Sequence, residues 1–456
     1  MKNKHYILTA ALMLLGIISY EQTDGTDESV KLNQYGQPVE SVGLNSEFRS
    51  GILTFESNDG DYKLWFDNRV SFDGGVFFDD DAFNPIGNGV TIRRARIAVK
   101  TILHKNWYGE IDIGFANAEV DLNDAYIKYT TDSGIFNIKA GHFRESFSME
   151  TTTTSRYVTF IERSLPSDFA PSRQLGIQAN YLTKKVLLSG GLHFNTVGSA
   201  DDADNSEDAR RDFGTDEGYS LTGRAVYRPI IDDEKVLHFG FAASFRTPTT
   251  DLDTPDSFRF RTRSISDINR RRYLDTGDIL NVENMTLYGG ELAGAYKKFM
   301  FQAEYIGTSI FRDGGLENVN LNGGYGQIGY LLGDGNYRYN TKEGEFTQPG
   351  RGKNGSVFEL AFRYDYLDLN DASPGIFGGE AEAYTLGLNF YPNANIRLSA
   401  NYSYLNHDRH SNGNGNLFVG TDSSGNLTTN AADVTEGEGD AGDDFGQLQF
   451  RIEIDF

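Results

Sequence analysis

The sequence predicts an all-β protein, a 16-stranded antiparallel transmembrane β-barrel with short periplasmic turns and long external loops. Three observations predict it. The composition favours strands and turns: 32 Phe and 25 Tyr supply strand-forming aromatics, and 51 Gly against 10 Pro supply turns. Apolar residues alternate with polar ones through most of the chain, which is the two-residue period of a strand with one greasy face. The connections fall into interleaved short and long sets, which a soluble sandwich has no reason to show but a barrel with two unlike rims does.

Composition also excludes classes. With no cysteine in 456 residues, disulfide scaffolds, iron–sulfur clusters and thiolate zinc sites are ruled out. A formal net charge of −23 repels nucleic acid, so no nucleic-acid partner is expected. Mean hydropathy of −0.46 excludes a bundle of membrane helices but not a barrel, whose strands are apolar on one face only.

In chain order, Lys2 and Lys4 followed by the apolar run Tyr6 to Ile18 read as a signal peptide over 1–20. Segment 21–60 is polar and reads as a periplasmic N-terminal segment, leaving 61–456 for the barrel. Sixteen strands are expected near 61–72, 90–104, 106–115, 120–130, 135–142, 174–183, 186–196, 219–228, 236–246, 285–296, 299–308, 324–332, 356–367, 380–391, 396–405 and 445–456. The last is the clearest, because Leu448, Phe450, Ile452, Ile454 and Phe456 alternate with Gln447, Gln449, Arg451, Glu453 and Asp455. An even count brings both termini to one rim. Tight links such as Lys184 with Lys185 and Lys297 with Lys298 alternate with long segments, of which 143–173, 247–284 and 406–444 are the largest. Two links depart from the alternation: 116–119 is short and 333–355 is long.

In a barrel of this size the lumen holds water, so passage of solute is the expected chemistry and inward charges set selectivity. Strand parity turns Arg94, Arg96, Lys100, Lys128 and Lys139 inward, with Arg224 and Arg363 farther along. The acids Glu110, Asp112, Asp124, Glu304, Glu359 and Asp365 face the same way and could simply pair with them. Segment 247–284 gathers Arg259, Arg261, Arg263, Arg270, Arg271 and Arg272 in an otherwise acidic chain. If 258–263 is extended, Arg259, Arg261 and Arg263 share one face at intervals of roughly 7 Å, a ladder of planar, permanent cations suited to oxyanions. A solvated loop is the bland alternative. Segment 143–173 carries Arg144, Arg156, Arg163 and Arg173 beside Phe160, Ile161, Leu165 and Phe169, whose burial would fold the segment into the lumen as a constriction; a lid outside the barrel is the other possibility.

These stretches resemble the phosphate-selective porin family, the O and P type of trimeric outer-membrane anion channels. The matching stretches are GDYKL at 60–64, FDGGVFF at 72–78, RRARI at 93–97, LNDAYIKY at 122–129, SRYVTFIERSLP at 155–166, FRFRTR at 258–263, YLDTG at 273–277 and QAEY at 302–305. The resemblance implies a homotrimer in the bacterial outer membrane, in contact with membrane lipid and lipopolysaccharide, each pore narrowed by a long loop and fed by an arginine ladder. The ladder maps onto Arg259, Arg261 and Arg263 and onto Arg270, Arg271 and Arg272, and the wall lysines onto Lys128 and Lys139. The expected function is passive conduction of small anions, phosphate or polyphosphate, with no cofactor and no enzymatic turnover. The alternatives are a general small-solute porin and a binding or assembly-partner barrel with a blocked lumen.

Other motifs carry less. Gly324, Gly326 and Gly329 match a dinucleotide fingerprint but sit in a strand-like run with no helix to receive a phosphate. His407 and His410 read as surface histidines, and the acids from Asp201 to Asp208 lack the spacing of a calcium loop. His142 and Ser146 have no evident third member for a hydrolase.

Overall fold

A computed structural model describes residues 31–81, 83–195, 217–250, 256–353, 355–411, 415–435 and 442–456. The expected signal peptide and the Asp201–Asp208 cluster lie outside the described residues. The chain divides into a unit up to Leu44 and a second from Asn45 to Phe456. In the first, an isolated bridge between Leu32 and Pro38 is the principal regular feature described.

The second unit is the barrel. Its strands are Arg69–Asp81, Gly89–Leu103, Trp107–Gly114, Asp121–Thr130, Phe136–Arg144, Arg173–Leu182, Val186–His193, Ser220–Ile231, Lys235–Arg246, Val282–Tyr296, Phe299–Arg312, Val319–Leu332, Val357–Asp371, Ile376–Tyr391, Ile396–His407 and Asp444–Asp455. Each pairs antiparallel with the next, and the last closes on the first with Asp455 opposite Arg69 and Phe450 opposite Gly74. Closure leaves no free sheet edge along the wall.

Which face meets solvent is inverted relative to a soluble protein. On the last strand Phe450 and Ile452 are 48% and 49% exposed while Arg451 and Glu453 are buried. Arg228, Arg363 and Arg451 are among the largest fully buried side chains, and Phe241 and Leu386 are exposed. A wall apolar outside and charged inside is stable only with hydrocarbon around it, which is how the alternating strands satisfy both faces.

The expected strands are found in order, with three differences. The first runs from Arg69 to Asp81 and not over 61–72. The earlier piece, Lys63–Phe66, is a separate short strand that pairs with the far half of Gly89–Leu103, and the chain breaks at Asp67 and Asn68 before resuming. Gly74 and Gly75 interrupt the apolar alternation that would have marked the true strand. The links after the eleventh and thirteenth strands are short, 313–318 and 372–375, because those strands continue past the apolar belt with polar outward residues. Ser309, for instance, donates to Asn320 across the pair at 2.8 Å; the ladder persists where the hydropathy signal has stopped. Finally His407 is buried, bonded to Ser264 Oγ at 2.8 Å and to the Asp443 carbonyl at 2.6 Å, and is not a surface histidine.

Three insertions fill the lumen. Residues 145–172, between the fifth and sixth strands, fold inward and bury Phe160, Ile161, Leu165 and Phe169. Residues 256–281 cover them from the same rim, with Phe260 packed edge-on against Phe169 at 5.1 Å. The long link 333–356 enters from the opposite rim as a hairpin, Asn336–Asn340 paired with Glu345–Gly350.

Candidate functional site: a lumen narrowed from both rims

The constriction loop 145–172 has little secondary structure of its own beyond two short turns, Met149–Thr152, capped by Ser148 Oγ accepting from Thr151 N–H at 3.2 Å, and the 3-10 turn Leu165–Asp168. Its backbone groups therefore need partners elsewhere, and the barrel wall provides them. Glu304 accepts from Met149 N–H and Glu150 N–H at 3.0 and 2.7 Å, a carboxylate placed where a helix start favours one. Asp365 accepts from Leu165 N–H at 3.2 Å and Asn401 from Ile161 N–H at 2.7 Å. In the other direction Arg397 donates to Val158 O, Asn389 to Thr159 O, Arg451 to Ile161 O and Arg363 to Glu162 O, all between 2.6 and 3.0 Å. Inward charges thus hold the loop, which is why apolar and polar residues of one segment can both be buried.

Below the loop, toward the rim of short turns, lies a cavity of about 400 Å³. Its lining brings together Arg96, Lys100, Lys128 and Lys139 of the expected wall with Arg144, Arg156 and Arg173 of the expected constriction, and adds Arg69, which lies within the expected strand 61–72 but is not among the expected inward cations. Most of these cations are paired. Lys100 meets Asp67 at 2.6 Å and Glu110 at 3.3 Å, Arg173 meets Asp124 at 2.7 Å, Arg69 meets Asp455 at 2.7 Å, Arg96 lies 3.9 Å from Asp112, and Arg156 bonds Asp67. Burial alone would raise the Asp67 carboxyl, but Arg156 and Lys100 hold it well below the usual carboxylate range. Glu110, Asp112 and Asp124 converge closely enough to suit a cation, yet each already faces one of these basic groups.

Three cations differ. Lys128 lies over the Tyr108 ring at 4.8 Å, Lys139 over Phe143 at 4.2 Å, and Arg144 donates to Thr151 O; none of the three is ion-paired among the described residues. A cation on an aromatic face keeps its charge available to a passing anion.

On the other side of the loop a second cavity of about 280 Å³ is lined by Arg93, Glu162, Arg163, Asp168, Thr262, Arg263 and Arg272 among others. Here the expected ladder can be placed. Arg261–Arg263 is a short strand paired with Arg272–Asp275, and burial alternates, with Phe260 and Thr262 inward and Arg259 and Arg261 exposed. The three arginines are not equivalent. Arg259 is held bidentately by Asp275 at 2.7 and 2.6 Å and Arg263 by Asp267, whereas Arg261 has no ion pair among the described residues. Arg272 donates to Arg261 O at 3.4 Å, Arg270 is exposed, and Arg271 is half-buried with its N–H on Asn269. Arg163 is turned onto its own loop, donating to Glu150 O and Thr153 O at 3.0 and 2.6 Å.

Arg94 is buried as parity expects, but parity misses Arg93. A bulge between the Ser71–Arg94 and Phe72–Ile92 pairs puts both inward, since a bulge sets two residues opposite one. Arg93 binds Glu162 at 2.7 and 3.0 Å, and against the upward push of desolvation Arg93 and Arg451 hold that half-buried carboxyl well below its usual range.

The profile of the family described as phosphate-selective porin O and P matches residues 66–428. Porin O of Pseudomonas aeruginosa is 26% identical over 405 residues, covering 80% of this chain and 88% of its own. An uncharacterised protein of Caulobacter vibrioides is 30% identical over 328 residues, covering 71% of this chain; the match spans 64% of that relative's length. Among solved structures, in-vitro folded OmpT, an outer-membrane protein of Vibrio cholerae, superposes with a TM-score of 0.50 over 87% of this chain and 98% of its own at 10% identity, a likeness of fold. Sixteen closed strands, a loop bound inside the lumen and a profile match over most of the sequence lead to one conclusion: the chain belongs to the phosphate-selective porin O and P family, outer-membrane channels and not enzymes.

Proposed function

We propose that this channel passes small anions of the phosphate class by passive diffusion, as a homotrimer seated in outer-membrane lipid beneath lipopolysaccharide. The observation that carries the anion preference is the trio Lys128, Lys139 and Arg144: among the described residues these are three cations without an ion pair, around one narrow cavity where Glu343 is the one exposed carboxylate outside a pair and the remaining charges largely cancel in pairs. In a confined, low-dielectric space such a residue of positive charge attracts anions and repels cations far more strongly than it would in bulk water. The exposed arginines of 256–281, Arg261 foremost, would raise anion concentration at the outer mouth.

The test is reversal potential in a potassium chloride gradient across a planar bilayer, followed by titration with phosphate. Anion preference and inhibition of chloride current by phosphate are expected. A cation-preferring or non-selective pore would overturn the reading, and a barrel that conducts nothing would favour a blocked lumen.

A further inference from the structure

The hairpin Asn336–Asn340/Glu345–Gly350 enters the lumen from the rim of short turns and ends at the cavity that holds the unpaired cations. It is well seated. Tyr337 Oη donates to Glu359 at 2.7 Å, Tyr339 Oη bonds His238 Nδ1 at 2.6 Å, and Phe346 packs against both tyrosine rings. The tip is fixed too. Gly344, at φ +71°, donates to Asn340 O at 2.9 Å, and its carbonyl accepts from Arg224 at 3.5 Å. Glu345 accepts from Thr154 N–H of the constriction loop at 2.9 Å. These contacts leave Glu343 exposed on the cavity, where its charge acts on Lys139.

We propose that Glu343 is a specificity-determining residue of the pore: its carboxylate, carried in on the hairpin tip, is a fixed counter-charge that competes with the permeating oxyanion for Lys128 and Lys139. The idea rests on the anion reading above and adds what limits it. Conduction needs binding that is favourable enough to admit an ion and weak enough to release it. Three unpaired cations around a small oxyanion would hold it long; a tethered carboxylate nearby shortens the dwell without occupying the path.

The measurement compares wild type with Glu343→Gln and with Glu234→Gln, a control that removes the same charge from a turn of the same rim, where Glu234 pairs loosely with Lys297. Glu343→Gln is expected to move the reversal potential toward that of chloride and to lower the phosphate concentration that halves chloride current by about threefold to tenfold, with Glu343→Lys moving both further. Glu234→Gln is expected to leave both unchanged. Equal shifts in Glu343→Gln and Glu234→Gln would overturn the proposal, as would an increase in conductance that is the same for both ions, since that reports a loosened hairpin. A wild-type pore without anion preference would sink the functional reading alone, because the difference between Glu343→Gln and wild type still measures what Glu343 does.

Discussion

The two insertions that meet inside this barrel are built on opposite plans. The constriction loop makes only short-range turns of its own and is held by the wall, with arginines and carboxylates from four strands satisfying much of its backbone. The hairpin from the other rim satisfies its own backbone by pairing and touches the wall chiefly through aromatic side chains, with a few contacts at its tip. The difference teaches where rigidity comes from. A segment stitched by buried charge cannot leave without stranding that charge, whereas a self-paired hairpin can shift as a unit when its tip contacts weaken. The first is held by buried charge along its length, the second by side chains at its base and a few contacts at its tip.

The largest expected effect breaks the first plan. Arg363 is fully buried, bonds Asp365 at 2.8 Å and donates to the carbonyls of Glu162 and Arg163 at 3.0 and 3.3 Å. Arg363→Ala would leave Asp365 as an uncompensated buried charge and two loop carbonyls with one donor fewer, a loss of about 3–5 kcal/mol. Heat-induced unfolding in detergent should show a much lower midpoint for Arg363→Ala. An unchanged midpoint would mean that the loop is held by its apolar residues alone and that the contrast between the insertions is false.

Much of this was legible in the sequence, and what was not has local causes. Alternation marked fifteen of the strands because lipid demands it residue by residue; on the first, Gly74 and Gly75 hid the pattern beyond residue 72, so that the strand's far half went unmarked. Parity turned Arg94, Arg96, Lys100, Lys128 and Lys139 inward correctly, because nothing but register decides a strand residue's side. The same rule failed at Arg93, where one extra residue changes the count. Apolar residues on 143–173 announced that the loop wants burial, but not that Asp365 and Arg451 would bind its backbone, since such pairs are hundreds of residues apart in the chain. Alternating arginines at 259, 261 and 263 were visible as a row; that Asp275 and Asp267 claim two of them depends on a turn whose geometry no spacing encodes.

A smaller effect sharpens the second plan. Burial, with Glu343 beside it, pushes the Glu345 carboxyl up to about 8 from an ordinary 4.5, against the opposing pull of the Thr154 N–H, Arg224 and Arg144. The docked tip therefore keeps its proton over a range in which a free tip would have lost it. The sign follows: docking onto Thr154 is strongest below the ordinary carboxylate value and weakens as pH rises from there to about 8, then levels off. Open-channel current noise should rise over that window in wild type and stay flatter in Glu345→Gln, which keeps an acceptor for Thr154 without the ionisation. Identical profiles for the two proteins would remove Glu345 as the group that tunes the hairpin.

The smallest effect concerns the outer mouth, where charge is exposed and the solvent screens it. Substituting Arg259, Arg261 and Arg263 together by Ala should lower anion preference, but the three contributions should be unequal. Arg259 and Arg263 already face Asp275 and Asp267, so removing either cation exposes a carboxylate as well as losing a positive charge. Arg261 has no such partner among the described residues, and Arg261→Ala removes one positive charge cleanly. At physiological ionic strength charges on this loop act over about 8 Å, so the shift in reversal potential should be a few millivolts, larger in dilute salt and gone at about 1 M. Shifts for Arg261→Ala that persist undiminished at high salt would place its guanidinium in direct contact with the permeating ion, and the outer loop would then belong with the constriction as part of the selective path and not with the solvent-facing rim.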